Sequence, residues 1–128
     1  MKKIIKTSNA PMPIGPYNQA VLAGGTLYIS GQVPMSPSSG ALVETGIKDA
    51  TKQVMQNLEA ILIEANLSFN NVVKSSIFIE DMNDFAAINE VYGSYFEETI
   101  APARETVQVA KLPLGVAVEI SMIAVITR

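Results

Sequence analysis

Val116-Ala117-Val118-Glu119-Ile120-Ser121-Met122-Ile123-Ala124-Val125-Ile126 is the stretch whose reading decides the fold. Its even-numbered positions are all apolar, whereas the odd-numbered set, continued to Thr127, mixes Ala, Ile and Val with Glu, Ser and Thr. Side chains along a strand alternate between faces, so this predicts a strand with one face on a helix layer and the other on a further apolar surface carrying a few polar groups. Glu119 falls in the second set. An unpaired carboxylate there costs several kcal/mol or shifts its pKa. Either it forms a structural ion pair, with Arg104 of Ala101-Pro102-Ala103-Arg104 as the candidate partner, or it works in a cleft.

Upstream of that strand, Lys111-Leu112-Pro113-Leu114-Gly115 reads as a turn and Thr106 to Ala110 as another strand. Between Ile47 and Ala65 apolar residues fall at 47, 50, 54, 58, 61, 62 and 65, the spacing of an amphipathic helix, and Asn66 is placed to end it in the left-handed conformation. Val72 to Glu80 is β-branched and strand-like. Asp81-Met82-Asn83-Asp84 supplies caps for a second helix through Phe85, Ile88, Val91, Tyr92, Tyr95 and Phe96, whose rings read as a core stripe. Nearer the start, Ile4-Ile5 reads as a strand. Gln19 to Ala23 and Thr26 to Ser30 form a hairpin across Gly24-Gly25. The loop Ala10-Pro11-Met12-Pro13-Ile14-Gly15-Pro16-Tyr17 is stiffened by its prolines and suited to holding one side chain in place. The order βββαβαββ predicts an α+β layer structure, one sheet with two helices on one face, and residues 1–128 as a single domain.

The composition excludes much. There is no cysteine and no histidine, which removes disulfides, thiol nucleophiles, thiolate zinc sites and the usual general base and metal ligand. Acid and base work is left to carboxylate, lysine, tyrosine and hydroxyl groups. Nine Lys and Arg are scattered, only Lys2 and Lys3 being adjacent, in a chain of net charge −3, so no nucleic-acid footprint is expected. No apolar run approaches the ~20 residues of a bilayer span, and the basic start Met1-Lys2-Lys3-Ile4-Ile5-Lys6 lacks the apolar run of a signal peptide, so a cytoplasmic protein is expected. An apolar content of 48% in so short a chain predicts burial against further copies of itself.

Ile14-Gly15-Pro16-Tyr17, Ser30-Gly31-Gln32, Asp84-Phe85 with Asn89, Pro102-Ala103-Arg104 and Val118-Glu119-Ile120, taken in order and spacing, resemble the YjgF/RidA family over almost the whole chain. The resemblance implies a chorismate-mutase-like fold, a homotrimer with clefts between subunits, and a 2-iminobutanoate/2-iminopropanoate deaminase needing no cofactor or metal. It implies Glu119, Arg104 and Tyr17 as catalytic residues, Glu119 orienting water and Arg104 binding the substrate carboxylate. Ser30, Gly31 and Asn89 would line the cleft with Tyr17, and the backbone N–H of Thr106 would help to hold the carboxylate. Read without the resemblance, Ser30-Gly31 is strand-end turn chemistry and Asn89 one residue of a helix face. One departure stands out: family members commonly carry a small residue after the motif arginine, where this chain has Glu105. Alternation along an extended segment predicts that Glu105 points away from the site. Two other functions fit the same fold, a binding or holdase module and an RNA-cleaving enzyme; the acidic charge and missing histidine argue against the second.

Overall fold

A computed structural model describes residues 1–126, so Thr127 lies outside the described residues. Strands β1 (Lys3–Ile5), β2 (Ala20–Ala23) and β3 (Thr26–Gln32) precede helix α1 (Ile47–Glu64). Then come β4 (Val72–Ile79), α2 (Phe85–Gly93), β5 (Ala103–Gln108) and β6 (Val118–Val125). The order βββαβαββ is thus as expected, and so is Asn66, which follows α1 at φ 61°. The strands form one sheet in the order β1-β2-β3-β6-β4-β5, antiparallel except for β4 and β5, which run parallel through the α2 crossover. A parallel pair needs such a crossover, and it leaves β5 as an edge strand.

The core is the contact of α1 with the central strands. Val54, Met55, Leu58, Ile61 and Leu62 meet Leu27, Ile77, Ile79, Val118, Ile120 and Met122 in one buried cluster. Burying each such side chain is worth roughly 1.5–3 kcal/mol, which makes this contact the main stabilising term. Asn57 is buried within α1 and satisfied: its amide donates to the carbonyls of Val33 (3.2 Å) and Met35 (3.0 Å), tying the loop after β3 to the helix. The even-numbered residues Val118, Ile120, Met122 and Ala124 of β6 face this core, as their spacing predicts. The odd-numbered ones, Glu119 among them, stay partly exposed, because none of the described residues covers that face.

Several boundaries differ from expectation. β5 runs over Ala103–Gln108 rather than Thr106 to Ala110, because pairing with Lys74–Ile79 of β4 recruits Ala103 and Arg104 into the ladder. β6 begins at Val118, two residues later than the apolar run suggests, since a tight 3-10 turn over Pro113–Gly115 delays it. α2 ends at Gly93, so Tyr95 and Phe96 pack from the turn behind it. Ser30-Gly31 is no strand end: it lies within β3, where the ladder to β6 slips between Ile29 and Gln32, a β-bulge.

Candidate active site

Arg104 belongs to the helix side of the sheet. It pairs in register with Ser75 of β4, and Ser75 is fully buried beneath α2. On α2, Phe85, Asn89 and Tyr92 are spaced i, i+4, i+7 and so share one stripe. The Arg104 guanidinium carbon lies 5.7 Å from the Phe85 ring centre and 5.1 Å from that of Tyr92. The Tyr92 hydroxyl donates to Ser75 Oγ at 2.8 Å. Burial pushes the Tyr92 pKa up, against the hydrogen bond to Ser75 and the nearby Arg104 charge. Asn89, Tyr92, Phe96, Glu98, Ala101 and Arg104 line a groove of about 550 Å³. Among the described residues, the ion pairs are Lys48–Glu90 and Lys74–Glu105, and Arg104 has neither an ion pair nor a hydrogen bond through its guanidinium. Thr106 lies two residues along the same face, and its Oγ1 is buried with no hydrogen-bond partner.

Glu119 belongs to the opposite side. It pairs with Phe78 between the inward-facing Val118 and Ile120. Its carboxyl group lies over the β3 bulge, so close that a methyl group added to Gly31 would stand 2.8 Å from Glu119 Cδ and 2.9 Å from Oε2. A side chain at position 31 would therefore push the Glu119 carboxyl group aside. Burial raises the Glu119 pKa, and no cation offsets it. Beside the bulge, Tyr17 and Gly31 line a small cleft of about 40 Å³ with Pro11, Pro13, Ile14 and Gln32. Tyr17 is 48% exposed, and its hydroxyl accepts a long 3.4 Å hydrogen bond from the Ile14 N–H. The loop that carries it is pinned by buried Gln19, whose amide donates to the carbonyls of Thr7 (3.0 Å), Ala10 (3.1 Å) and Pro11 (2.9 Å) and accepts from the Thr7 N–H (2.7 Å). Ser30 is tied in as well, its hydroxyl donating to the Asn18 carbonyl at 2.6 Å.

The candidate residues therefore fall into two groups. Tyr17, Ser30, Gly31 and Glu119 are together in one, Asn89, Arg104 and Thr106 in the other. β4 separates β6 from β5, so the two strands are roughly 10 Å apart, and their site residues point to opposite faces. An intrachain Glu119–Arg104 pair is thereby ruled out. Glu105 points away from Arg104, as alternation predicts: Lys74 Nζ binds it at 2.8 Å and the Ser76 hydroxyl donates to it, and these bonds hold its carboxyl below the usual range. A separate cavity of about 370 Å³, lined by Leu42, Glu44, Ile47, Asp84 and Leu114, contains none of these residues.

The core-stripe reading of the α2 rings is corrected in part. Tyr92 is buried, but Phe85 is 39% exposed, and both touch Arg104 instead of packing only on apolar neighbours. Their i, i+4, i+7 spacing around Asn89 is the signal that could have found them. Gln19 carried no such signal, since only the folded loop brings three carbonyls to its amide.

Sheet order and helix placement define the chain as a Rid-type α+β protein. It belongs to the YjgF/RidA family: the family described as Endoribonuclease L-PSP matches residues 7–126. A RutC family protein of Pyrococcus horikoshii is 52% identical over 97% of this chain and 98% of its own. The 2-iminobutanoate/2-iminopropanoate deaminase of Mus musculus is 51% identical over 98% of this chain and 92% of its own. The crystal structure of E. coli TdcF with bound serine superposes with a TM-score of 0.92 at 44% identity, over 98% of this chain and 99% of that one.

Proposed function

We propose that this chain is a cytoplasmic hydrolytic deaminase of small 2-imino acids, releasing the 2-keto acid and ammonia. The observation that carries the proposal is Arg104, a half-buried guanidinium lodged against two rings with its N–H groups unengaged in a groove of about 550 Å³. A planar fork of that kind matches a carboxylate in two parallel hydrogen bonds. The mammalian relatives named as deaminases support the reaction, and the serine held by TdcF supports a ligand of amino-acid size.

The second half supplies the proton chemistry. Arg104, Asn89 and Thr106 of one copy orient the imino acid. Glu119 of a neighbouring copy, with Tyr17, Ser30 and Gly31 around it, takes the proton of a water that adds to C2. The same carboxyl group returns that proton to nitrogen, which gives the carbinolamine; it then takes the proton of the new C2 hydroxyl and passes it to nitrogen, so that ammonia leaves as the C2 carbonyl forms. A carboxyl whose pKa is raised by burial is suited to these transfers, and the free imine already hydrolyses in water, so neither metal nor histidine is required. Because the half-sites point to opposite faces, the reading has residues 1–128 acting as one domain that closes its site only against further copies, in a homotrimer. Exposed Tyr28, together with Ile123 and Val125 further along the face that carries Glu119, makes the uncovered sheet face apolar enough for such a contact. Among the described residues, no helix is long and apolar enough to cross a membrane.

The test is keto acid release from an imine generated in situ, measured above the uncatalysed rate. Release at the background rate by the assembled protein would overturn the proposal. The TdcF ligand also favours a second reading, capture of small carboxylates without turnover. Binding of a keto acid with no catalysis would select it.

A further inference from the structure

We propose that Phe85 and Tyr92 are positioning residues, a two-ring clamp that holds the Arg104 guanidinium with its N–H edge turned to the groove, and that Ser75 locks the clamp. The inference rests on the reading of Arg104 as the carboxylate receptor. Both guanidinium–ring distances, 5.7 Å and 5.1 Å, lie within the ~6 Å over which a ring face attracts a cation. The rings balance the charge without using any of the five N–H donors, as a carboxylate partner would. The receptor therefore stays open in the unliganded chain.

The clamp is also rigid. Tyr92 is 5% exposed and Ser75 0%, and their 2.8 Å hydrogen bond joins α2 to the residue beside Arg104 in the β4–β5 ladder. The height of the ring above the guanidinium is thus set by the sheet, and the rotation of α2 that seats both rings also turns Asn89 to the groove. An unclamped arginine would lose rotamer freedom on binding; here much of that loss is taken during folding, so the clamp acts on affinity rather than on the chemical step.

The experiment titrates 2-oxobutanoate into the full-length protein and its Phe85→Leu, Tyr92→Leu, Tyr92→Phe and Arg104→Ala variants, with imine hydrolysis measured alongside. Removing either ring should weaken binding about five- to tenfold, the scale of one cation–π contact. KM should rise in parallel while kcat stays within about threefold of the parent. Tyr92→Phe keeps the ring and loses only the Ser75 lock, so its affinity should fall between those of the parent and of Tyr92→Leu, and parent affinity would overturn the lock. Phe85 is exposed, and its variant decides the matter even if Tyr92→Leu fails to fold. Wild-type affinity in both leucine variants, with binding lost in Arg104→Ala, would overturn the clamp and leave the receptor reading standing. A fall in kcat at unchanged affinity would overturn it too. Wild-type affinity in Arg104→Ala would overturn both.

Discussion

On the helix side of β5, side chains flank Arg104; on the opposite side of β6, Glu119 lies against bare backbone. The arginine rests against two rings on a stripe of α2, and each ring contributes part of the hold. The glutamate lies over a bulged strand at a glycine whose missing side chain leaves just enough room. The difference teaches where each half is vulnerable. A hold divided among side chains weakens as each ring is removed, whereas one that depends on close approach is disturbed by a single added methyl group.

The strongest way to test the glutamate half is Glu119→Gln, which preserves size and removes the charge. Imine hydrolysis should fall on the order of 10²-fold with the oligomeric mass unchanged, and undiminished turnover would return Glu119 to a structural role. Mixing inactive halves comes next. Arg104→Lys should by itself lose about 30-fold in kcat/KM, because a point charge replaces a fork. If subunits of Glu119→Gln and Arg104→Lys exchange at random, about a quarter of the interfaces unite two intact halves, so roughly a quarter of wild-type activity should return. No recovery after verified exchange would mean that the halves do not meet between copies.

Gly31→Ala sharpens the contrast further. The new methyl displaces the far end of the Glu119 side chain rather than any backbone, so we expect about a tenfold loss of activity with little change in thermal stability. A large fall in Tm would instead make the bulge a folding element. The smallest effect is on stability against pH. Burial raises the Glu119 pKa, so the folded chain keeps this proton at a pH where the unfolded chain, near 4.5, has lost it. Stability due to this group is full below 4.5 and is lost as pH rises through the folded value. Glu119→Gln abolishes that loss and should melt about 2 °C above the parent at pH 7, with no difference at pH 4. Equal melting at both values would mean that the carboxylate is not desolvated.

What the sequence disclosed depended on how local the cause was. The periodicity from Ile47 to Ala65 and the alternation from Val118 to Val125 are each written in one segment, and α1 and β6 are where they indicate. The start of β5 depends on pairing with β4, so no local pattern in Ala101-Pro102-Ala103 marks it. The bulge at Ser30-Gly31 exists only relative to Ser121 across the ladder, and for that reason it reads as a turn in isolation. Motif matching selected Arg104 and Glu119 without saying that the sheet lies between them. The rings at 85 and 92 were visible as a stripe, but a stripe does not reveal that its neighbour is a cation.

The edge position of β5 has a consequence for motion. This six-residue strand bonds to β4 alone and has no fully buried residue, so its opening costs less than exposing the α1 core. Arg104 would leave with it, while Glu119, on a strand flanked on both sides, would stay in place. Amide exchange would therefore run fastest on the arginine half of an isolated chain, and a bound carboxylate, by gripping Arg104, would slow the fraying of the strand that carries it.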